Sequence, residues 1–168
     1  MKLALKLQAD KEYSKSNKHL IDLYSTNDMK DLVCLNLAKN YFAMGNMKSA
    51  KKYSSECIEL KGIYAKEASL IKGYILNKEG LYKEELDLYN QMLERFPDEI
   101  QLKLLKSDVL YEFNPIDSYR SFYKTVNCDP LNPNIHRMIA QHETNSRHYI
   151  QAILAKYMML FSTQDPSN

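Results

Sequence analysis

Gly45-Asn46-Met47-Lys48-Ser49-Ala50 and, further on, Gly80-Leu81-Tyr82-Lys83-Glu84-Glu85 are the stretches that decide how this chain folds. Both sit in mid-pattern. Leu37 and Tyr41 lie a helical turn apart before the first, and Leu86, Tyr89, Met92 and Leu93 continue on one face after the second. A glycine between two amphipathic runs is where one helix stops and the next restarts. Extending that register both ways gives Tyr13, Met47, Tyr82, Pro115 and Tyr149 as equivalent positions, spaced by 34, 35, 33 and 34 residues. A recurring interval of this length marks a helix–turn–helix repeat.

Three residues after each anchor come Ser16, Ala50, Glu85, Ser118 and Ala152, small in four of five cases. In the preceding helices the matching positions are Ala4, Ala38, Gly73, Lys106 and Ala140, again small in four of five. Paired helices must approach closely where they cross, and small residues permit it. The flanks agree: Leu3 with Leu7 and Leu105 with Val109 form apolar stripes on first helices. Leu20, Leu23 and Tyr24, then Phe122 and Val126, do so on second helices. Pro97 and Pro130 close two repeats, and Asn114-Pro115 is an internal turn with proline at a first helical position.

Composition agrees with helices. Four Gly and five Pro in 168 residues leave little material for the many turns of a β-protein. A net charge of +2 does not favour a dedicated nucleic-acid or membrane binder. Cys34, Cys57 and Cys128 form no C-x-x-C pair and read as buried single thiols rather than a disulfide framework or zinc knuckle. Met1 to Gln8 alternates Lys with Leu too closely for a signal peptide, and no stretch reaches the uncharged length of a membrane helix. For a complete chain, the expected location is the cytoplasm.

On these anchors the chain resembles the tetratricopeptide repeat superfamily over essentially its whole length. The motif residues are Cys34, Leu37, Ala38, Tyr41 and Ala50 in one unit and Tyr82, Tyr89, Pro97, Phe122 and Pro130 in others. Lys72, Glu85, Lys106 and Ser54 depart from the family pattern. The resemblance implies an all-α fold, a right-handed α-α superhelix of helix–turn–helix repeats. Its units would run approximately 1–30, 31–65, 66–98, 99–131 and 132–168, the first one clipped. About nine or ten helices in antiparallel pairs are expected, with no sheet.

Candidate chemistry is thin. His136, His142, Glu143 and His148 are the one His/Glu cluster, but they do not make the H-E-x-x-H spacing that puts two imidazoles on one helix face. They read as solvated residues around the last inter-helix loop. The glycines are isolated, so no phosphate loop is indicated, and no nucleophile has a base in a recognisable motif. No catalytic residue, cofactor or metal is expected, and the chain reads as a non-enzyme.

The resemblance instead implies a groove lined by first helices, in which a peptide or partner helix docks. By register the groove residues would be Leu35, Lys39 and Phe42, then Leu70, Tyr74, Asn77 and Lys78. Lys103, Ser107 and Tyr111 follow, then Arg137 and Gln141. Cations among aromatics suit an acidic peptide. The Lys/Asn/Arg set by which chaperone-tail binders of this family hold a terminal carboxylate is absent: no frame matches at more than one position. The runner-up is an RNA-binding helical-repeat module. Such an array should be more basic, and the Asp/Pro boundaries at Pro97-Asp98 and Asp129-Pro130 favour the protein-binding reading. Tyr149 to Phe161 is apolar nearly all round. A helix of that kind is expected to be covered by a further repeat, a second copy or a partner.

Overall fold

A computed structural model describes residues 1–26, 29–127 and 129–145. Among them are nine α-helices and no strand: α1 (Lys2–Ala9), α2 (Tyr13–Ser25), α3 (Lys30–Ala43), α4 (Met47–Glu59), α5 (Ala65–Lys78), α6 (Tyr82–Arg95), α7 (Ile100–Leu110), α8 (Pro115–Val126) and α9 (Pro133–Asn145). Tyr13, Met47, Tyr82 and Pro115, the anchors of the repeat, are the first residues of α2, α4, α6 and α8. Tyr149 lies outside the described residues, as does the apolar stretch to Phe161.

Three of the turns inside helix pairs share one hydrogen-bond scheme. Lys11, Gly45 and Gly80 each stand two residues before a second helix, with φ of 61°, 75° and 71°. The Lys11, Gly45 and Gly80 amides donate to the carbonyls of Gln8, Phe42 and Asn77, each at 3.0 Å. The next amides, of Glu12, Asn46 and Leu81, reach back to Leu7, Tyr41 and Leu76 at 2.8, 2.9 and 2.9 Å. This is a Schellman closure, in which a left-handed residue turns the chain so that carbonyls left over at the helix end find donors.

The turn from α7 to α8 is built differently. Phe113 and Asn114 both donate to the Leu110 carbonyl, at 3.0 and 2.8 Å, with no left-handed residue between. The Asn114 side chain then accepts from the amides of Ile116 and Asp117 at 3.1 and 3.3 Å, and Pro115 supplies a first-turn residue with no N–H to satisfy.

The interval from the crossing residue to the second helix is one residue shorter in this pair, which corrects the register expected for α7. Ala4, Ala38 and Gly73 lie nine residues before their anchors; Ser107, not Lys106, is their counterpart, eight before Pro115. Ser107 is fully buried, and its carbonyl accepts from the buried Ser118 hydroxyl at 2.6 Å, just as the Ala4 carbonyl accepts from Ser16 at 2.8 Å. Lys106 sits one step further round the helix and is half-buried.

The chain divides into two compact units, residues 1–88 and residues from 89 onward, with the division inside α6. In the first, each of α1 to α4 packs on the next helix, and α3 also packs on α5. Ala4, Leu20, Val33 and Leu37 form a core to which Tyr41 and Tyr53 add stacked rings, centroids 5.6 Å apart. Leu3 was expected to face inward with Leu7 but is 54% exposed, because α1 meets α2 through Ala4 at the crossing. Asn40 donates to the Ser16 oxygen at 3.0 Å and to Asn17 Oδ1 at 2.8 Å, tying α3 to α2 by a buried polar contact. Cys34 and Cys57 are buried free thiols, and Cys57 donates to the Asp31 carbonyl at 3.3 Å. Burial pushes them up to about 11 and about 12. Cys128 lies outside the described residues.

In the second unit α7 packs on α8, and α9 packs on both. Leu104, Phe122, Ile135, Ile139 and Ala140 form its core, with Ile100 and Val126 against it. Among the described residues no helix is long and apolar enough to cross a membrane.

Candidate functional site

The side-by-side packing of α3 and α5 brings together Phe42, Tyr74 and Lys78 among the residues expected from those helices. Phe42 meets Tyr74 edge-on, ring centroids 5.2 Å apart at 80°. The ammonium of Lys78, one turn further along α5, lies 5.4 Å from the Tyr74 centroid, within cation–π range. Phe42 is half-buried, while Tyr74 is 47% exposed. A fixed aromatic pair with one open ring and a cation above it can grip an apolar side chain next to an acidic one. Leu70 is half-buried and Asn77 exposed, and Asn77 donates to Glu85 Oε2 at 3.1 Å. That bond gives Glu85, a buried carboxylate at a position where the repeat pattern expects a small residue, one of its partners.

Lys39 reaches the same face, but its ammonium lies 2.6 Å from Glu67 Oε2. Both side chains are nearly half exposed, so the pair contributes little to stability and mainly offsets the positive charge of Lys39. Glu67 lies in the first turn of α5, where a carboxylate is also favoured by the helix dipole.

Two expected groove residues belong to the interior. Leu35 is 2% exposed, because α3 is enclosed by α2, α4 and α5 and buries residues nearly all round. Ser107 is fully buried at the crossing of α7 and α8 for the register reason given above. The same shift puts Asp108 at the exposed position that Lys39 and Tyr74 hold in earlier repeats. Tyr111 stays half-buried beside it, and Lys103 lies in a pocket between α7 and α8. Arg137 is exposed on α9; the Gln141 side chain lies outside what the structure describes.

Of the His/Glu cluster, His136 is not a solvated loop residue. His136 is 5% exposed, and its Nε2 donates to the Pro130 carbonyl at 2.5 Å, so the ring closes the turn that leads into α9. His148 and the side chains of His142 and Glu143 lie outside the described residues.

No protein-family model matches the chain, and no curated protein matches it. Solved structures do. One reported as a crystal structure of MamA is 13% identical and aligns over 99% of this chain and 98% of its own, with a TM-score of 0.75. MamA residues 41 to the end from Desulfovibrio magneticus RS-1 align at 13% identity over 99% and 94%, with a TM-score of 0.74. YrrB, described as a TPR protein with an unusual peptide-binding site, aligns at 12% identity over 99% and 86%, with a TM-score of 0.69. Likeness at this identity shows the fold, an all-α helical repeat of the tetratricopeptide type.

Proposed function

We propose that this chain is a non-catalytic protein-interaction scaffold that holds a peptide or partner helix on the α3–α5 face. The observation that carries the reading is the Phe42–Tyr74–Lys78 cluster: a packed aromatic pair, half open to solvent, with a cation at its edge. Large aromatic anchors held in place by neighbours supply most of the energy in peptide interfaces. The fold supports it, since YrrB, of the same fold, is described as having a peptide-binding site. An acidic segment suits Lys78, with Lys39 available once Glu67 is displaced.

Selection of peptides from a random displayed library on the full chain tests the reading. Peptides so obtained should bind Phe42→Ala and Tyr74→Ala at least about tenfold more weakly, the usual cost of an anchor residue. Their melting temperatures should stay near that of the parent. Equal binding by both variants would place the interaction on another face. A salt-sensitive gel shift with single-stranded RNA, in place of any selected peptide, would favour the RNA-binding alternative.

A further inference from the structure

A chain of buried hydrogen bonds crosses the first three helices and ends on sulfur. The Ser16 hydroxyl donates to the Ala4 carbonyl at 2.8 Å, and Asn40 gives its two amide hydrogens to Ser16 Oγ at 3.0 Å and to Asn17 Oδ1 at 2.8 Å. With its oxygen so engaged, the Asn17 amide presents Nδ2 on its other side, and there it meets Met44 Sδ at 3.8 Å. Ser16, Asn17 and Asn40 are all buried, whereas Met44, at the end of α3, is 45% exposed. Met44 also lines an open hollow of about 340 Å³, together with residues 11–15 of α2 and the turn before it.

The last link in this chain is the poor one. A thioether is a weak acceptor, so a buried amide that donates only to sulfur recovers little of what it lost on leaving water. A sulfoxide oxygen in the same place is a far better acceptor, because oxidation turns the apolar side chain into a polar one. Sulfur carries two lone pairs, and Asn17 engages one of them. Met29 and Met47 are exposed as well, but among the described residues neither sulfur meets a hydrogen-bond donor. Met92 is sealed in the core.

We propose that Met44 is a site of reversible oxidation, at which the sulfoxide oxygen takes over the Asn17 amide hydrogen. A peroxide supplies the oxygen. A sulfur lone pair forms the S–O bond, the O–O bond breaks, and the other oxygen leaves with both protons as water; sulfur loses two electrons and the peroxide gains them. A dithiol reductant of the sulfoxide-reductase class reverses the change, returning the thioether with a disulfide and water. Rotation about Cγ–Sδ, which a partly exposed side chain permits, turns the new oxygen to Asn17 and shortens the 3.8 Å gap to an ordinary N–H···O distance. Sulfoxide formation commonly disrupts packing. Here it completes a buried polar network, and oxidation tightens the junction of α2 with α3. The site does not depend on the reading of the α3–α5 face.

Treating the full chain with hydrogen peroxide, and placing the added oxygens by peptide mass spectrometry, begins the test. Met44 should take up one oxygen while Met92 stays reduced, and should lose it to sulfoxide reductases of both epimer classes with dithiothreitol. Urea titration before and after oxidation is then compared between the parent and Met44→Leu, a swap that conserves volume. The comparison subtracts the oxidation of other methionines. Relative to the change in Met44→Leu, the parent's folding equilibrium should move about fivefold towards the folded state, the worth of one hydrogen bond. NMR of the parent reads the contact itself. The Asn17 side-chain amide signal should move downfield on oxidation and return on reduction, and in Met44→Leu it should not respond. An unmoved Asn17 signal in a chain whose Met44 is fully oxidised would overturn the proposal. So would a parent that loses as much stability as Met44→Leu, or oxygen found on Met29 and Met47 with Met44 intact.

Discussion

The hydroxyl of Ser118 donates to the backbone carbonyl of Ser107 across 2.6 Å, and both residues are sealed from solvent. One small side chain thereby does two things at the α7–α8 crossing: it lets the helices approach, and it joins them. Alanine would keep the first role and lose the second. Ser118→Ala should cost about 1 kcal/mol, the net worth of a typical buried hydrogen bond. Ser16→Ala removes the equivalent bond to Ala4 and also the acceptor of an Asn40 amide hydrogen, so its loss should be larger. Urea midpoints followed by circular dichroism give the order, and equal losses would mean Asn40 finds another partner.

Lys11 adopts the left-handed conformation that Gly45 and Gly80 adopt in the equivalent turns. A side chain there costs about 1 kcal/mol relative to glycine. Lys11→Gly should stabilise the chain by roughly that amount, and Gly45→Ala or Gly80→Ala should destabilise it similarly. A Cβ at either glycine would meet nothing within 4 Å, so the effect isolates backbone strain from packing. Thermal unfolding reads all three; no gain in Lys11→Gly would show that its turn relaxes when the strain is removed.

The start of every second helix from α2 to α8 was legible because glycine or proline marks each later turn, and local chemistry of that kind is written in adjacent residues. Lys11, with no glycine beside it, could be placed only by its spacing from Gly45. Ser107 was missed for a physical reason. An interval one residue shorter between crossing residue and anchor leaves the anchor in place but rotates the preceding helix by about 100° relative to it, and this moved Lys103 and Ser107 off the expected face. Leu35 was misplaced because exposure depends on how many neighbours enclose a helix. The pairing of Lys39 with Glu67 joins separate helices, and no local pattern announces it.

Lys39 sits beside the aromatic pair with its charge offset by Glu67. Glu67→Gln should leave stability within about 0.5 kcal/mol, as expected for an exposed pair. It should raise the association rate of an acidic peptide at low salt, with the gain fading as salt is added. Stopped-flow binding at two ionic strengths is the measurement, and a rate insensitive to the change would remove Lys39 from the site.

Burial holds the Cys34 thiol up to about 11 and the Cys57 thiol up to about 12, from an ordinary value near 9. In a Cys128→Ser chain at pH 8, a thiol reagent should react about a hundredfold more slowly with the folded protein than in denaturant, following the fraction of thiolate. The linkage has a definite sign. The folded state keeps these protons to higher pH than the unfolded state, so the contribution is present below the unfolded value and is lost as pH rises towards the folded ones. Cys57→Ala should start less stable and lose stability less steeply between about pH 9 and 11.

Asn40 uses both amide hydrogens on α2, while its Oδ1 is buried without a hydrogen-bond partner. Counted from the crossing residue, its counterparts in later repeats are Ile75 and Val109, both buried and apolar. Opposite Ile75, on α4, the positions of Ser16 and Asn17 are taken by Ala50 and Lys51. The junction of α2 with α3 therefore carries an address that the junction of α4 with α5 does not share. Placing this asparagine on α5, as exchange of the second and third repeats would do, would strand its amide opposite Ala50. The repeats look alike in outline, but their order is written into the chain.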